Sequence, residues 1–159
     1  MRYSSIGKSK KPVALFILLI LFTCFTMAVG YGAEPALIEG ASAEEPAISE
    51  TAKKYLDAEV KRDLEAVYGY LAPSSIYYAT HDYAAYLAEA EASPVRILEY
   101  KILRIAHIRD NDDKQNFPGV EKFARVEVDM KVFYTDTGQT AEVNFDFTFI
   151  KEGGRWYKG

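Results

Sequence analysis

Residues 120–150, VEKFARVEVDMKVFYTDTGQTAEVNFDFTFI, alternate apolar and polar side chains in two stretches. In the first stretch apolar residues occupy the even positions from Ala124 to Tyr134, and in the second they occupy the odd positions from Ala141 to Phe149. Side chains two residues apart lie on the same face of a strand, so each stretch predicts a β-strand with one buried face. The intervening TDTG predicts a hairpin loop.

The parity of the two stretches determines the register of the hairpin. Directly opposed residues share a sheet face, so the loop must contain an even number of residues. Gly138, which tolerates a left-handed backbone, is the expected last residue of a four-residue loop at 135–138. The predicted pairs are Val128 with Phe145, Met130 with Val143, and Lys131 with Glu142.

Helical periodicity precedes the hairpin. An apolar stripe over residues 48–60 predicts one helix, and Asp63 is a suitable N-cap for a short second helix that ends before Pro73. After Pro94 the period changes to two, which predicts a strand. Its alternation slips near residues 102–103, which predicts a β-bulge there.

Three helices followed by an antiparallel meander form an α+β pattern, with the helices on one sheet face. The segment AKKYLDAEVKRDLEAVYGYLAPSS combines a long helix, an Asp-capped short helix and a Leu-x-Pro ending, and GGRWYK predicts a closing hairpin. Over about residues 47–159, these motifs resemble the nuclear-transport-factor-2-like superfamily. The resemblance implies a curved antiparallel sheet forming a cone-like barrel. That superfamily holds isomerases, dehydratases, transport factors and exported domains, so it implies no single activity.

The first 32 residues predict a signal peptide or an N-terminal membrane anchor. The stretch MRYSSIGKSKKP is basic, residues 13–29 carry no charge, and small residues follow. A cleaved signal and a retained anchor both fit this pattern, and both place the remaining chain in a periplasmic or other extracytoplasmic space. Residues 33–46, rich in Ala, Glu and Pro, predict an acidic flexible linker to a folded domain at 47–159. Membrane contact is expected only through the N-terminal segment.

Composition argues against several function classes. Cys24, the only cysteine, lies within the N-terminal apolar segment, so the exported part has no thiol for catalysis, disulfides or metal binding. After residue 33 the chain has 15 basic and 23 acidic residues, which argues against nucleic-acid binding. In RDNDDK, Lys114 and Gln115 stand where a calcium loop needs an oxygen ligand and glycine. We expect no metal and no cofactor.

The two histidines are the first catalytic candidates. In THDYAAYL, residues 80–87, His81 and Asp82 are adjacent and point about 100° apart on a helix, so they do not face each other. Thr80 explains the stretch as the N-cap of a third helix, with His81 exposed in the first turn. His107 has the parity of its apolar neighbours in the first strand. It is a weak catalytic candidate, because such a histidine is usually a hydrogen-bonded core residue.

Isomerases of the resembled superfamily place a carboxylate inside the cone as a proton-transfer base. The hairpin acids Glu127, Asp129, Glu142 and Asp146 all have the parity opposite to the apolar residues, so they are predicted to point outward. The hairpin therefore argues against a site of that kind, and an enzymatic function is not favoured.

Tyrosines are frequent between residues 55 and 86, and they indicate either helix packing or the mouth of a small apolar pocket. The expected pocket walls are Tyr55, Leu56, Val60, Tyr68, Val126, Val128, Met130, Phe145 and Phe147. Because none of them is charged, a ligand should be small, neutral and apolar. The predicted function is an exported, non-enzymatic binding or interaction module in the cell envelope.

Two alternatives remain at this point. One is a small-molecule isomerase or hydratase that uses His107 with a tyrosine hydroxyl. The other is an assembly module that forms a homodimer through the outer sheet face, where Phe123 and Phe133 interrupt the polar pattern.

Overall fold

The structure, a computed structural model, describes residues 43–159. The predicted signal or anchor segment and residues 33–42 lie outside this range, so their assignment stays a prediction. Within residues 43–159, no helix is long and apolar enough to cross a bilayer.

Four helices precede four strands. The helices are α1 (Glu45–Lys61), α2 (Leu64–Gly69), α3 (Ile76–Thr80) and α4 (Tyr83–Ala92). The strands are β1 (Val95–Asp110), β2 (Val120–Tyr134), β3 (Gln139–Glu152) and β4 (Arg155–Lys158). All neighbouring strands are antiparallel, in the order β1-β2-β3-β4. The predicted α+β class, with helices preceding a curved antiparallel sheet, is confirmed.

Helix α1 begins two residues before the predicted domain start at 47. The carboxylate of Glu44 accepts hydrogen bonds from Lys151 Nζ at 2.8 and 3.0 Å and from Trp156 Nε1 at 3.1 Å. The last residues of the predicted linker therefore belong to the folded domain. At its other end, α1 stops at Arg62, which adopts a left-handed φ of 58°, and Asp63 caps α2 as predicted.

The predicted capping role of Thr80 is wrong. Thr80 is the last residue of α3, a helix that the periodicity did not predict, and its hydroxyl donates to the carbonyl of Ile76 at 2.7 Å. Asp82 is the N-cap of α4 instead, since its Oδ1 accepts from the backbone N–H of Ala85 at 2.8 Å. His81 is the C-cap of α3, so the THD stretch joins two helices rather than starting one.

The predicted hairpin is confirmed residue by residue. Val128 pairs with Phe145, Met130 with Val143, and Lys131 with Glu142. The connecting loop comprises residues 135–138, and Gly138 has a φ of 70°. Its backbone N–H donates to the carbonyl of Tyr134 at 2.8 Å, which closes the loop.

Strand β1 contains the predicted bulge and two more. Its register against β2 shifts between Ile97 and Glu99, between Ile102 and Arg104, and between Ala106 and Arg109. Each shift leaves at least one residue of β1 without a partner, and extra residues of this kind bend and twist a strand. The sequence showed only the middle slip.

The core lies between the helices and the inner sheet face. Its buried residues on α1 are Ile48, Ala52, Tyr55, Leu56 and Ala58. Those on the hairpin are Ala124, Val126, Val128, Met130, Val132, Phe147 and Phe149. A second, small cluster of Ala72, Val120 and Ile150 lies apart from this core, with Phe123 and Tyr157 packed against it.

Candidate functional site

Helix α1 places a tyrosine and a glutamate against the sheet. Tyr55 and Glu59 are four residues apart and so share one helix face. The Tyr55 ring meets the Phe147 ring edge-on, with centroids 6.1 Å apart, and its hydroxyl donates to Glu59 Oε1 at 2.8 Å. Burial and the adjacent carboxylate raise the pKa of Tyr55 well above its usual value, so it stays a neutral donor.

Glu59 is a half-buried carboxyl group. Burial raises its pKa, while the hydrogen bond from Tyr55 and the charges of Arg62 and Lys158 act in the opposite direction. Desolvation is the largest of these effects, because a buried carboxylate loses its water shell. Glu59 is therefore easier to protonate than an exposed glutamate, and it can take up or release a proton nearer to neutral pH.

Strand β4 brings a lysine to the same region. Two hydrogen bonds hold the backbone of Lys158 beside α2, since its N–H donates to the Tyr70 carbonyl at 2.7 Å and its carbonyl accepts from the Ala72 N–H at 2.7 Å. The Nζ lies 5.8 Å from the centroid of the Phe147 ring. Burial lowers the pKa of Lys158 to about 8, against the opposing effect of Glu59.

Helix α4 places the buried Tyr86 beside these residues. Burial and the charge of Glu59 raise the pKa of Tyr86. The Arg62 guanidinium donates twice to the carbonyl of Ala90, each at 3.2 Å, and so ties the end of α1 to α4. We refer to Tyr55, Glu59, Tyr86 and Lys158 as the Glu59 cluster. It combines an acid, an amine and two phenols beside an apolar sheet face.

The remaining tyrosines pack against one another around Tyr68. Its ring lies 5.0 Å from Tyr78, 5.3 Å from Tyr83 and 5.3 Å from Tyr86, measured between centroids. The Tyr68 hydroxyl donates to the carbonyl of His81 at 2.9 Å. This group joins α2, α3 and α4, so the packing interpretation of the tyrosines accounts for their positions.

The histidines lie outside the Glu59 cluster. His81 stacks on Tyr77 at 4.2 Å, and its Nε2 lies 3.3 Å from Glu89 Oε1. His107 is exposed and adopts a left-handed φ of 52° within the third bulge of β1. The prediction that its side chain follows the apolar parity of the strand is wrong. Ile105 still pairs with the inward Val126, and the bulge at His107 itself interrupts the alternation after it.

The hairpin acids point outward as predicted. On the outer face, Glu127 contacts Arg104 Nε at 2.5 Å, and Asp146 lies 3.6 Å from Arg125 Nη1. The predicted dimer contact Phe123 already packs within its own chain, with its ring 5.7 Å from that of Phe117 and beneath the Arg109 guanidinium at 4.8 Å. Phe133 is half-buried on the same face.

Eight of the nine predicted pocket residues belong to the main core or pack against it, and Val60 is the exception. Leu56, Val126 and Val128 have no exposed surface, so they form the packed interior. Tyr68 and Phe145 are half-buried. A role of these residues in ligand binding stays a prediction.

An apolar strip remains partly uncovered on β3. Strand β4 pairs only with residues 149–152, so the preceding part of β3 has no neighbour on that side in the described structure. There Ala141, Val143 and Phe145 lie half-buried on the inner face, and the Phe145 ring is 5.4 Å from that of Phe147. The strip therefore leads toward the Glu59 cluster.

Sequence reasoning missed Glu59 and Lys158. A weak signal existed for each: Glu59 follows the buried Tyr55 by four residues, and Lys158 shares the strand parity of the buried Trp156. Charged residues at such positions are usually solvated, so the sequence alone did not single them out.

Comparisons with known proteins concern the fold. No family model and no curated protein sequence matches the chain. A cystatin-like protein of unknown function from Nostoc punctiforme matches with a TM-score of 0.45 and 15% identity, over 76% of this chain and 90% of that one. A ketosteroid isomerase-like protein from Erwinia carotovora atroseptica matches with a TM-score of 0.47 and 15% identity, over 73% and 91%.

Proposed function

We propose that the chain is an exported, non-enzymatic binding module that holds a small, neutral, mainly apolar ligand against the inner sheet face. The observation that carries this proposal is the half-buried strip of Ala141, Val143 and Phe145, which continues into the buried aromatic core at Phe147. Uncovered apolar surface bordered by a few polar groups is the usual composition of a small-molecule site.

The walls of the proposed site favour a neutral ligand. The strip and the adjoining core carry no charge, and an ionised group placed there without a partner would cost several kcal/mol. The Tyr55 hydroxyl and the Glu59 carboxyl lie beside the buried end of the strip and supply polar contacts there. One hydrogen-bonding group on an otherwise apolar ligand suits this arrangement.

Export rests on the N-terminal sequence. A basic start and 17 uncharged residues at 13–29 support a signal peptide or an anchor, and residues 33–42, with two glutamates and no basic residue, support an acidic tether. We therefore place the binding module in the periplasm or a comparable extracytoplasmic space, where it meets ligands in solution or at the membrane surface.

The first experiment identifies a ligand and its site. Native mass spectrometry of the membrane-extracted protein reports cleavage of the N-terminus and any retained small molecule. Thermal-shift screening should then show stabilisation by neutral hydrophobic compounds and none by carboxylates, phosphates or amines. Phe145→Ala should weaken this stabilisation about tenfold or more in apparent Kd. Asp146→Ala, a change of the next residue on the opposite face, is the matched control and should leave it intact.

Stabilisation by an anion that is lost in Phe145→Ala would contradict the neutral-ligand proposal. Failure of every compound class would favour a protein-interaction module instead. The sequence suggests one such interaction, homodimerisation through Phe123 and Phe133. Sedimentation of the extracted wild-type protein and of its Phe133→Ser variant tests whether this dimer forms.

A second candidate function follows from one specific observation, the Tyr55–Glu59 hydrogen bond at 2.8 Å beside a half-buried carboxyl with a raised pKa. A carboxyl group of this kind can serve as the proton-transfer group of an isomerase or hydratase. Glu59 therefore takes the place of His107 in the isomerase or hydratase alternative. Glu59→Gln distinguishes the two functions. A binding module should bind its ligand as before, whereas an enzyme should still bind its substrate but no longer convert it.

A further inference from the structure

We propose that Lys158 is a nucleophilic amine that forms an imine with an aldehyde or ketone ligand held against the inner sheet face. This inference rests on the proposed function and narrows it, because it names the reactive group of the neutral ligand and the residue that captures it.

The position of Lys158 supports this role. Its backbone is held between Tyr70 and Ala72 on one side and pairs with Phe149 of β3 on the other. Its Nζ lies over the ring of Phe147, which is the buried end of the apolar strip. An apolar ligand seated on the strip therefore ends beside the amine.

The surroundings of Lys158 differ from those of other lysines in the described part of the chain. Lys54, Lys122 and Lys151 each form an ion pair with a carboxylate within 3 Å. In that part of the chain no side-chain carboxylate pairs with Lys158, whose Nζ donates to a main-chain oxygen of Gly159. Its burial leaves the charged form poorly solvated, and with a pKa of about 8 roughly a tenth of Lys158 is uncharged at pH 7, against about one in three thousand for an ordinary lysine.

The neighbouring groups complete the chemistry. The amine lone pair attacks the carbonyl carbon, a C–N bond forms, and the proton lost by nitrogen is taken up by the former carbonyl oxygen. Loss of water then breaks the C–O bond and leaves a C=N bond. The Glu59 carboxyl, whose pKa is raised by burial, can donate the proton that the leaving hydroxyl requires and then take up the remaining proton of the nitrogen. One water is released, and no oxidant or reductant is needed.

The ligand class follows from the same surfaces. An aromatic or aliphatic aldehyde or ketone is neutral, presents an apolar body to Phe145 and Phe147, and carries a single polar group. That group would lie at the end of the strip where Lys158 and Glu59 are placed.

Borohydride trapping tests the inference on the full-length, extracted protein. The protein is incubated with benzaldehyde at pH 7, reduced with sodium borohydride, and analysed by intact mass and peptide mapping. We expect one benzyl adduct, on Lys158, formed about tenfold faster or more than on any exposed lysine. Lys158→Arg should abolish it, and the matched Lys122→Arg should not change it.

Two further arms keep the result decisive if Lys158→Arg folds poorly. Phe145→Ala should slow labelling of Lys158 without changing the labelling of exposed lysines. Benzyl alcohol, which fits the same strip and cannot form an imine, should compete with labelling of the wild-type protein.

Adducts spread evenly over exposed lysines would overturn the inference. Stabilisation by benzyl alcohol without an adduct on Lys158 would refute imine formation while leaving the binding module in place. Absence of both stabilisation and adduct would refute the inference together with the apolar-ligand proposal.

Discussion

At the scale of single residues, burial changes the two charged side chains of the Glu59 cluster in opposite directions. The pKa of Glu59 rises and that of Lys158 falls. Each side chain is therefore more often uncharged near neutral pH than an exposed glutamate or lysine. Desolvation is the largest cause in both cases, and the attraction between the two groups only partly offsets it. The cost of burying these charges is therefore part of the stability of the domain.

Replacing Glu59 by glutamine should stabilise the protein at neutral pH. The folded-state pKa of Glu59 exceeds the unfolded value of 4.5, so the stabilisation that its proton provides is fully present below pH 4.5 and is lost as pH rises through the folded pKa. Glutamine is neutral throughout and still accepts from Tyr55. Thermal denaturation should give Glu59→Gln a melting temperature a few degrees above wild type at pH 7, with the gap narrowing toward pH 4.

The control for this comparison is Glu142→Gln, which changes an exposed glutamate on the outer sheet face. It should leave the melting temperature close to that of the wild type at both pH values. A lower melting temperature for Glu59→Gln at pH 7 would mean that ion attraction outweighs desolvation in the cluster.

The cap of α4 offers a second residue-scale prediction. Asp82→Ala removes the side-chain acceptor for the Ala85 N–H and should lower the free energy of unfolding by about 1 kcal/mol. Thr80→Ala removes an exposed hydroxyl that bonds to the Ile76 carbonyl and lies 2.9 Å from His81 Nδ1, and it leaves no backbone N–H of α4 without an acceptor. It should change stability by less than about 0.5 kcal/mol. Urea denaturation of both variants measures the difference, and the reverse ranking would restore Thr80 as the cap.

At the scale of elements, the hairpin depends on a glycine in the left-handed region. Gly138 has a φ of 70° at the last loop position, and a Cβ there meets no atom within 4 Å. Gly138→Ala should therefore cost about 1 kcal/mol through backbone strain alone. Gly119→Ala, at a glycine whose φ is not positive and which is equally free of contacts, should be close to neutral in the same urea titration.

Elements with a strong period could be predicted from the sequence, and the others could not. The hairpin alternates over two long stretches, so its faces, register and loop all followed from parity. Helix α3 has only five residues, too few to show a helical stripe, and none of them is buried. Thr80 and Asp82 are both suitable residue types for the N-cap of α4. Asp82 takes that position because α3, which was not predicted, extends to Thr80.

At the scale of the whole molecule, both ends of the described chain meet at one point. The Glu44 carboxylate, just before α1, contacts Lys151 on β3 and Trp156 on β4. The side chains of Lys151 and Glu44 are 18% and 23% exposed, so salt screens this contact less than a fully exposed ion pair. The first helix is thereby joined to the last strands.

The candidate site shows why tertiary contacts escaped sequence reasoning. Glu59 and Lys158 lie near opposite ends of the domain in sequence, and the motifs that contain them predict secondary structure and no charged site. Their charges interact because α1 packs against β4, a tertiary contact that no local pattern encodes. The apolar walls, by contrast, followed from alternation and were largely placed in the core as expected.

Unfolding should therefore be a single cooperative event. Trp156 is the only tryptophan, is 5% exposed and bonds to Glu44, so its fluorescence reports the junction of α1 with β4. Fluorescence and far-ultraviolet circular dichroism should give coincident urea transitions. A fluorescence transition at lower urea concentration would show that α1 separates before the sheet unfolds. Tyr157→Phe, a change next to Trp156 on β4, is the control for local changes in emission.

The bulges of β1 have a consequence for behaviour at high concentration. This 16-residue strand forms one border of the sheet, and a long regular border offers its free N–H and C=O groups to any other chain. Three interruptions within it break those groups into short, misaligned runs, and Leu98 and Leu103 protrude at two of them, 42% and 41% exposed. Copies at high concentration are thus protected from joining into fibrils through this edge.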